Sequence, residues 1–144
     1  MGTWDIGPFD NDTAADFANA LDDAAEGERE RLVRGVLMRA VDNQDYLEAP
    51  DAEEAVAAAA LIAAQCPGGE PVSPHYGPDK PIPSMSADVR RLAAEALDRV
   101  LADTSELSEL WGAEEGGRWR GSIAQLRQVL DPTTEAQGDA LFEI

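Results

Sequence analysis

The chain has 144 residues, of which 29 are Asp or Glu and 11 are Lys or Arg, so its formal net charge at pH 7 is −18. A surface this negative repels phosphate backbones and anionic lipid headgroups, which disfavours direct binding to nucleic acid or to a membrane surface. Hydrophobic residues form 44% of the chain, too many for a disordered acidic tail. We therefore expect one folded domain over residues 1–144.

The first predicted helix covers residues 14–24. Residues 10–13 all carry side-chain oxygens that can cap its start, and Thr13 with Asp16 three positions later has the pattern of a capping box. Apolar residues then recur at helical spacing and form one narrow stripe. We expect this helix to end near Gly27, because glycine is a poor helix former.

The second predicted helix covers residues 28–41 and has a broad apolar face. Its outer face is expected to hold the charged residues Arg29, Glu30, Arg34 and Asp42. Glu30 and Arg34 lie one turn apart and form a favourable pair. In the linker that follows, we expect Tyr46 and Leu47 to fold back onto the core.

The third predicted helix opens at Pro50 and Asp51. Asp51 is expected to cap it, with Glu54 in the reciprocal position three residues later. The run that follows is alanine with valine, leucine and isoleucine, so it is apolar on nearly every face. Such a helix belongs in the middle of a bundle, where small side chains allow its neighbours to approach closely.

Residues 67–85 are predicted to form one long irregular loop, which contains six of the nine prolines. Long loops without secondary structure are uncommon in compact domains. His75, Tyr76 and Lys80 lie in this segment and are candidate recognition residues. Either the loop recognises a ligand, or it is a rigid spacer between two helical halves.

A fourth helix is predicted from a Ser86 cap to Leu101, on a continuous apolar stripe of 3.6-residue period. Glu95 and Arg99 are expected to pair on its outer side. A short helix over 106–111 is expected behind a Ser105 cap.

The last predicted helix covers residues 119–130 and ends before Asp131-Pro132. The tail, residues 131–144, is apolar enough at its end for us to expect docking onto the domain. No segment alternates as a strand does, so the predicted fold is all-α, a single-domain orthogonal or irregular bundle of five or six helices.

Reactive residues are scarce. Cys66 is the only cysteine and His75 the only histidine, so the chain cannot form an internal disulfide and lacks the soft ligands of a structural zinc site. No P-loop, HExxH or GxSxG motif occurs. We therefore expect no cofactor, no metal and no enzymatic activity.

No segment has the pattern of a signal peptide or of a membrane span. The longest apolar tract, residues 55–64, is about half of the ~20 residues that a span requires. We expect a cytoplasmic protein.

Several short motifs occur in a fixed order along the chain. The chain opens with Met1-Gly2-Thr3-Trp4, followed by Gly7-Pro8-Phe9-Asp10-Asn11-Asp12 and by Ala14, Asp16 and Phe17. Later motifs are Asp45-Tyr46-Leu47-Glu48, Leu110-Trp111, and the series Trp119, Ile123, Leu126 and Leu130. This order resembles the bacterial family known as domain of unknown function 4259. The resemblance implies a compact domain whose first dozen residues belong to the fold, and it carries no established activity.

The opening motif is a candidate structural or interaction motif. We expect Trp4 and Phe9 to be buried against the first helices, where large aromatic side chains usually seal a core. Asp10, Asn11 and Asp12 then offer acceptors to the exposed amides at the start of the first helix.

Charge suggests the leading function. We expect a non-enzymatic, acidic interaction module that binds a basic protein partner, as immunity proteins and inhibitors do. One alternative is a small-molecule-binding or enzymatic domain that uses carboxylates near the proline-rich loop. The other is a housekeeping domain whose charge serves solubility only.

Overall fold

The computed structural model describes residues 12–43, 45–66, 86–102, 104–111 and 116–130. Within these ranges the secondary structure is helical, with no strand, which confirms the predicted all-α class. The six helices are α1 (Asp12–Asp23), α2 (Glu26–Asp42), α3 (Ala49–Ala63), α4 (Ala87–Leu101), α5 (Glu106–Trp111) and α6 (Gly116–Leu130). The predicted loop 67–85 and the tail 131–144 lie outside the described residues.

Helix α3 lies at the centre of the bundle, as its composition predicts. It packs against each of the other five described helices, and it is buried around its whole circumference from Ala55 to Ala63. Alanine side chains occupy most of this surface. Their small size allows the neighbouring backbones to approach α3, so closely packed helices, rather than large side chains, fill the centre of the bundle.

The helices around α3 each bury one stripe. On α1 this stripe consists of Ala14, Phe17, Ala18 and Leu21. The stripe predicted for α4 is likewise buried at Val89, Ala93, Ala96, Leu97 and Val100. Trp119 and Ile123 bring α6 into the same core. The opposite faces of these helices are left for charged residues.

The junction between α1 and α2 differs from the prediction. Gly27 lies inside the first turn of α2, and the chain changes direction two residues earlier, at Ala25. Arg29 explains the difference: its Nε donates to the Leu21 carbonyl oxygen (3.0 Å) and its Nη2 to that of Ala24 (3.1 Å). The side chain, predicted to face solvent, is therefore buried at 9% exposure. It shares the Leu21 carbonyl oxygen with the Ala24 N–H (3.2 Å) and also binds the carbonyl oxygen of Ala24, just beyond the end of α1.

The helix starts are capped in different ways. Ser86 is confirmed as the cap of α4, since its Oγ accepts from the Val89 N–H (3.4 Å). The capping box predicted for Thr13 and Asp16 is wrong, because α1 already begins at Asp12 and Thr13 lies inside the helix. Helix α5 covers Glu106–Trp111 behind Ser105, as predicted, but the side chain of Ser105 does not cap it, because its Oγ is buried without a hydrogen-bond partner.

The start of α3 is held by a residue distant in sequence. The helix begins at Ala49 with Glu48 as the cap residue, so Asp51 lies in the first turn rather than at the cap. The carboxylate of Glu106 on α5 accepts from the Ala49 N–H (2.8 Å) and takes the place of a local cap. Pro50 needs no hydrogen bond in this turn, which suits it to this position.

Two loops meet beside these helix starts. Leu47 donates its N–H to the Thr104 carbonyl oxygen and accepts from the Glu106 N–H, both at 2.8 Å, and forms a parallel bridge with Ser105. Leu47 is fully buried, as predicted, whereas Tyr46 is 43% exposed and does not plug the core. Neighbouring residues in extended backbone point to opposite sides, so only one of the two can face inward.

Arg99 fastens the same two loops. Its Nε donates to the Asn43 carbonyl oxygen (3.0 Å), and its Nη2 donates to the Asp45 carbonyl oxygen (2.8 Å) and to Asn43 Oδ1 (3.3 Å). Its Nη1 donates to the Thr104 carbonyl oxygen (3.3 Å). The guanidinium thus binds three backbone oxygens and the Asn43 side chain, whereas the helical spacing predicted a pair with Glu95. We call Arg99, Asn43, Asp45 and Thr104 the loop clamp.

Of the helices that the structure describes, none is long and apolar enough to cross a membrane.

Candidate functional site

Most of the candidate residues lie outside the described ranges. They are Trp4, Phe9, Asp10 and Asn11 of the opening motif and His75, Tyr76 and Lys80 of the predicted loop. Asp12 is described: it is exposed in the first turn of α1, where the positive end of the helix dipole favours a carboxylate. The site is therefore built from Asp12 and its surroundings.

Arginine side chains are largely engaged within the fold. Arg34 pairs with Glu30 at 2.8 Å, as predicted, and Arg127 pairs with Asp98 at 2.7 Å. Arg29 and Arg99 bind backbone oxygens, and Arg120 Nη2 donates to the Ser108 hydroxyl (2.9 Å). These guanidinium groups thus hold helices and loops of the same chain together.

Helix α1 has the opposite character. It contains four aspartates and no basic residue. Asp12, Asp16 and Asp23 are exposed and lie on one side, since their separations of four and seven residues correspond to one and two turns. This side is opposite the buried stripe through Phe17. We call these three residues the acidic face of α1; in the described part of the chain none of them has an ion pair.

A groove of about 320 Å³ runs beside the acidic face, between α1 and α2 and up to α3. Asp16 lies on its rim and Phe17, Leu32 and Val36 contribute apolar lining. Asp16 therefore belongs both to the acidic face and to the groove. Asp16 was not predicted as a site residue, although its place one turn after Asp12 is a signal that could have indicated one.

An ion pair forms part of the lining of the groove. Arg39 Nη1 lies 3.1 Å from a Glu54 carboxylate oxygen and 3.9 Å from one of Asp51. Partial burial raises the pKa of Glu54 above its ordinary value; Arg39 opposes this shift and Asp51 adds to it. At Glu54 the effect of desolvation therefore outweighs that of the pairing.

Comparison with known proteins identifies the family. The sequence model of the family described as Domain of unknown function (DUF4259) matches residues 2–122. The chain belongs to the DUF4259 family. The resemblance inferred from the opening motif is confirmed, and the match extends from that motif into α6. No curated protein and no solved structure matches the chain.

In this DUF4259 chain the single cysteine lies inside the fold. Cys66 is buried, with its Sγ 3.5 Å from the Ile62 carbonyl oxygen. No cluster of three or more His, Cys, Asp or Glu side chains with the geometry for a metal ion occurs in the described ranges.

Tyr46 is the most distinctive polar group away from the groove. Desolvation and a hydrogen bond to the Glu109 carboxylate raise the pKa of its hydroxyl, and the nearby charge of Glu106 acts in the same direction. A tyrosine hydroxyl is protonated at neutral pH in any case, and the raised pKa extends this range to higher pH, so Tyr46 is the donor in its hydrogen bond to Glu109. In this DUF4259 chain it is a candidate polar contact on the surface.

Proposed function

We propose that the chain is a non-enzymatic interaction module that binds a basic protein partner in the cytoplasm, as immunity proteins and inhibitors do. The observation that carries the proposal is the acidic face of α1. Asp12, Asp16 and Asp23 share one exposed side of a helix without a basic residue, whereas the arginines nearby are bound to other groups.

The physical basis is long-range attraction. A net charge of −18 draws a basic partner toward the chain and accelerates the encounter. Carboxylates that are already paired add little to this attraction, because their field is cancelled by the neighbouring guanidinium. The unpaired row on α1 is therefore the strongest described candidate for the point of contact.

The proposal is tested by affinity capture from the native cell at low salt and again at high salt. We expect one dominant basic protein, lost at high salt because ions screen the attraction. A triple variant Asp12→Asn, Asp16→Asn and Asp23→Asn is expected to lose this partner even at low salt.

The control variant is Asp42→Asn, Asp45→Asn and Glu95→Gln. These three carboxylates are exposed and without ion pairs among the described residues, so the variant changes net charge equally. It is expected to retain the partner. Equal loss in both variants would show that total charge, not the acidic face, determines binding. Absence of any specific partner at either salt concentration would leave solubility as the purpose of the charge.

A further inference from the structure

The groove beside α1 is open because its walls carry small side chains. Ala20 and Gly35 are both exposed and line it from α1 and α2. A Cβ built on Gly35 would meet no atom within 4 Å. The groove is therefore unfilled above Gly35 and has an apolar lining. Its volume of about 320 Å³ suits one long side chain. Pockets for small ligands begin at roughly 300 Å³.

The charges around the groove favour a cation. The charged groups that line it, or pair with its lining, are Asp16, Glu28, Arg31, Arg39, Asp51 and Glu54. They comprise four carboxylates and two guanidiniums, and both guanidiniums have carboxylate partners. Asp16 is the lining charge that no described group neutralises. An anionic ligand would compete with the carboxylates of the existing ion pairs, whereas a cation meets Asp16 directly.

We propose that this groove receives a lysine or arginine side chain of the basic partner, whose aliphatic part lies on Phe17, Leu32 and Val36 and whose charged end contacts Asp16. The inference rests on the proposed function and names the contact by which it works. Long basic side chains commonly bury their methylene groups on apolar surface and keep the charge in a polar environment. Arginine is also enriched among the residues that dominate binding energies at interfaces.

Two glycines allow the groove to be closed with a matched control. Gly35→Leu places a side chain in the groove without a clash at Cβ. Gly121 is an exposed helical glycine on α6 that also has no atom within 4 Å of a built Cβ. Gly121→Leu thus makes the same replacement, with the same gain in helix propensity, away from the groove.

The charged contact has its own variant. Asp16→Asn removes the rim charge, and Asp42→Asn removes an exposed charge that does not line the groove. The second change corrects for the general loss of attraction that follows from a smaller net charge. These two variants also keep the inference testable if Gly35→Leu perturbs the fold.

The probe is a synthetic helical peptide of lysine, arginine, leucine and alanine with blocked ends, titrated at low salt into the full-length, ¹⁵N-labelled chain. Backbone amide shifts locate the contact and yield the dissociation constant. We expect the saturable shifts to centre on Ala20, Leu32 and Gly35. Gly35→Leu is expected to weaken binding roughly tenfold or more, as loss of an anchor contact does.

The controls complete the expected pattern: Gly121→Leu binds as the unaltered chain does, and Asp16→Asn weakens binding more than Asp42→Asn.

Equal affinities for Gly35→Leu and Gly121→Leu would overturn the groove as the contact, while salt-sensitive binding of the peptide would still agree with the proposed function. Failure of the proposed function is detected separately, by the absence of a partner in the capture experiment. Nuclear Overhauser contacts between residues 1–11 and Phe17 or Val36 in the free protein would also overturn the inference, because the groove would then be filled internally. So would dimerisation of the unaltered chain that Gly35→Leu abolishes.

Discussion

Replacing Arg99 by alanine tests whether the loop clamp stabilises the fold. The substitution removes four hydrogen bonds from the guanidinium, two of them at 3.0 Å or less, to Asn43 and Asp45. A hydrogen bond to a charged group contributes about 1.5–3 kcal/mol. Because the site is partly exposed, water can replace some of these hydrogen bonds in the variant. We expect the free energy of unfolding to fall by about 2–4 kcal/mol.

The matched control is Arg91→Ala on the same helix. Arg91 is 66% exposed and its guanidinium lies 3.7 Å from Asp88, one turn away. Exposed pairs of this kind contribute about 0–1 kcal/mol. Urea unfolding followed by circular dichroism measures both variants. In thermal unfolding, a chain of this size loses roughly 2–4 °C per kcal/mol, so we expect the melting temperature of Arg99→Ala to fall by about 4–16 °C.

A decrease no larger than that of Arg91→Ala would refute the reasoning. The loops would then be held by the backbone hydrogen bonds of Leu47 to Thr104 and Glu106 alone.

Three further predictions concern the core and the two perturbed titrating groups. Ala58→Leu should lower the free energy of unfolding by about 1–3 kcal/mol, because Ala58 is fully buried on the central helix; Ala124→Leu on exposed α6 surface is the control in the same urea assay. The Tyr46 hydroxyl should titrate above its ordinary pKa of 10.0 in pH-dependent NMR of the ring carbons, and Glu109→Gln should lower that pKa. For Glu54, whose pKa is raised in the folded state, the contribution to stability is present below the ordinary pKa of 4.5 and is lost as pH rises through the folded-state value. The unaltered chain should therefore lose stability as the pH rises from 4.5 through the folded-state pKa of Glu54, and Glu54→Gln should not show this loss. Urea unfolding at a series of pH values measures both.

Each of these has a definite contrary result. Equal stability of Ala58→Leu and Ala124→Leu would mean that the centre of the bundle can expand freely. An unchanged Tyr46 titration in Glu109→Gln would remove the hydrogen bond as a cause of the shift. A pH profile of Glu54→Gln identical to that of the unaltered chain would show that desolvation of this carboxyl is negligible.

The helices were predictable from sequence because their causes are local. The apolar period of α4, the alanine content of α3 and the pair Glu30–Arg34 are all determined within a few turns of chain. The Ser86 cap is equally local, since donor and acceptor lie three residues apart.

Side chains that reach across the bundle were not predictable in this way. Arg29 and Arg99 were assigned to the outer surface on helical spacing, yet both bind carbonyl oxygens of other segments. The carboxylate of Glu106 caps a helix whose start lies 57 residues earlier, and no pattern near Ala49 records this. Of the site, Asp12 was selected from sequence, whereas the groove exists only once α1 and α2 have packed.

An alanine-rich central helix has a further consequence. Alanine has no side-chain rotamers and presents a smooth surface, so the neighbours of α3 interlock with it only weakly along its axis. The axial position of the surrounding helices must then be fixed at their ends, where Arg99 and Glu106 join loops distant in sequence. The interior should accordingly tolerate many volume-conserving substitutions. Insertions or deletions at 43–49 or 102–106, in contrast, should shift whole helices along their axes.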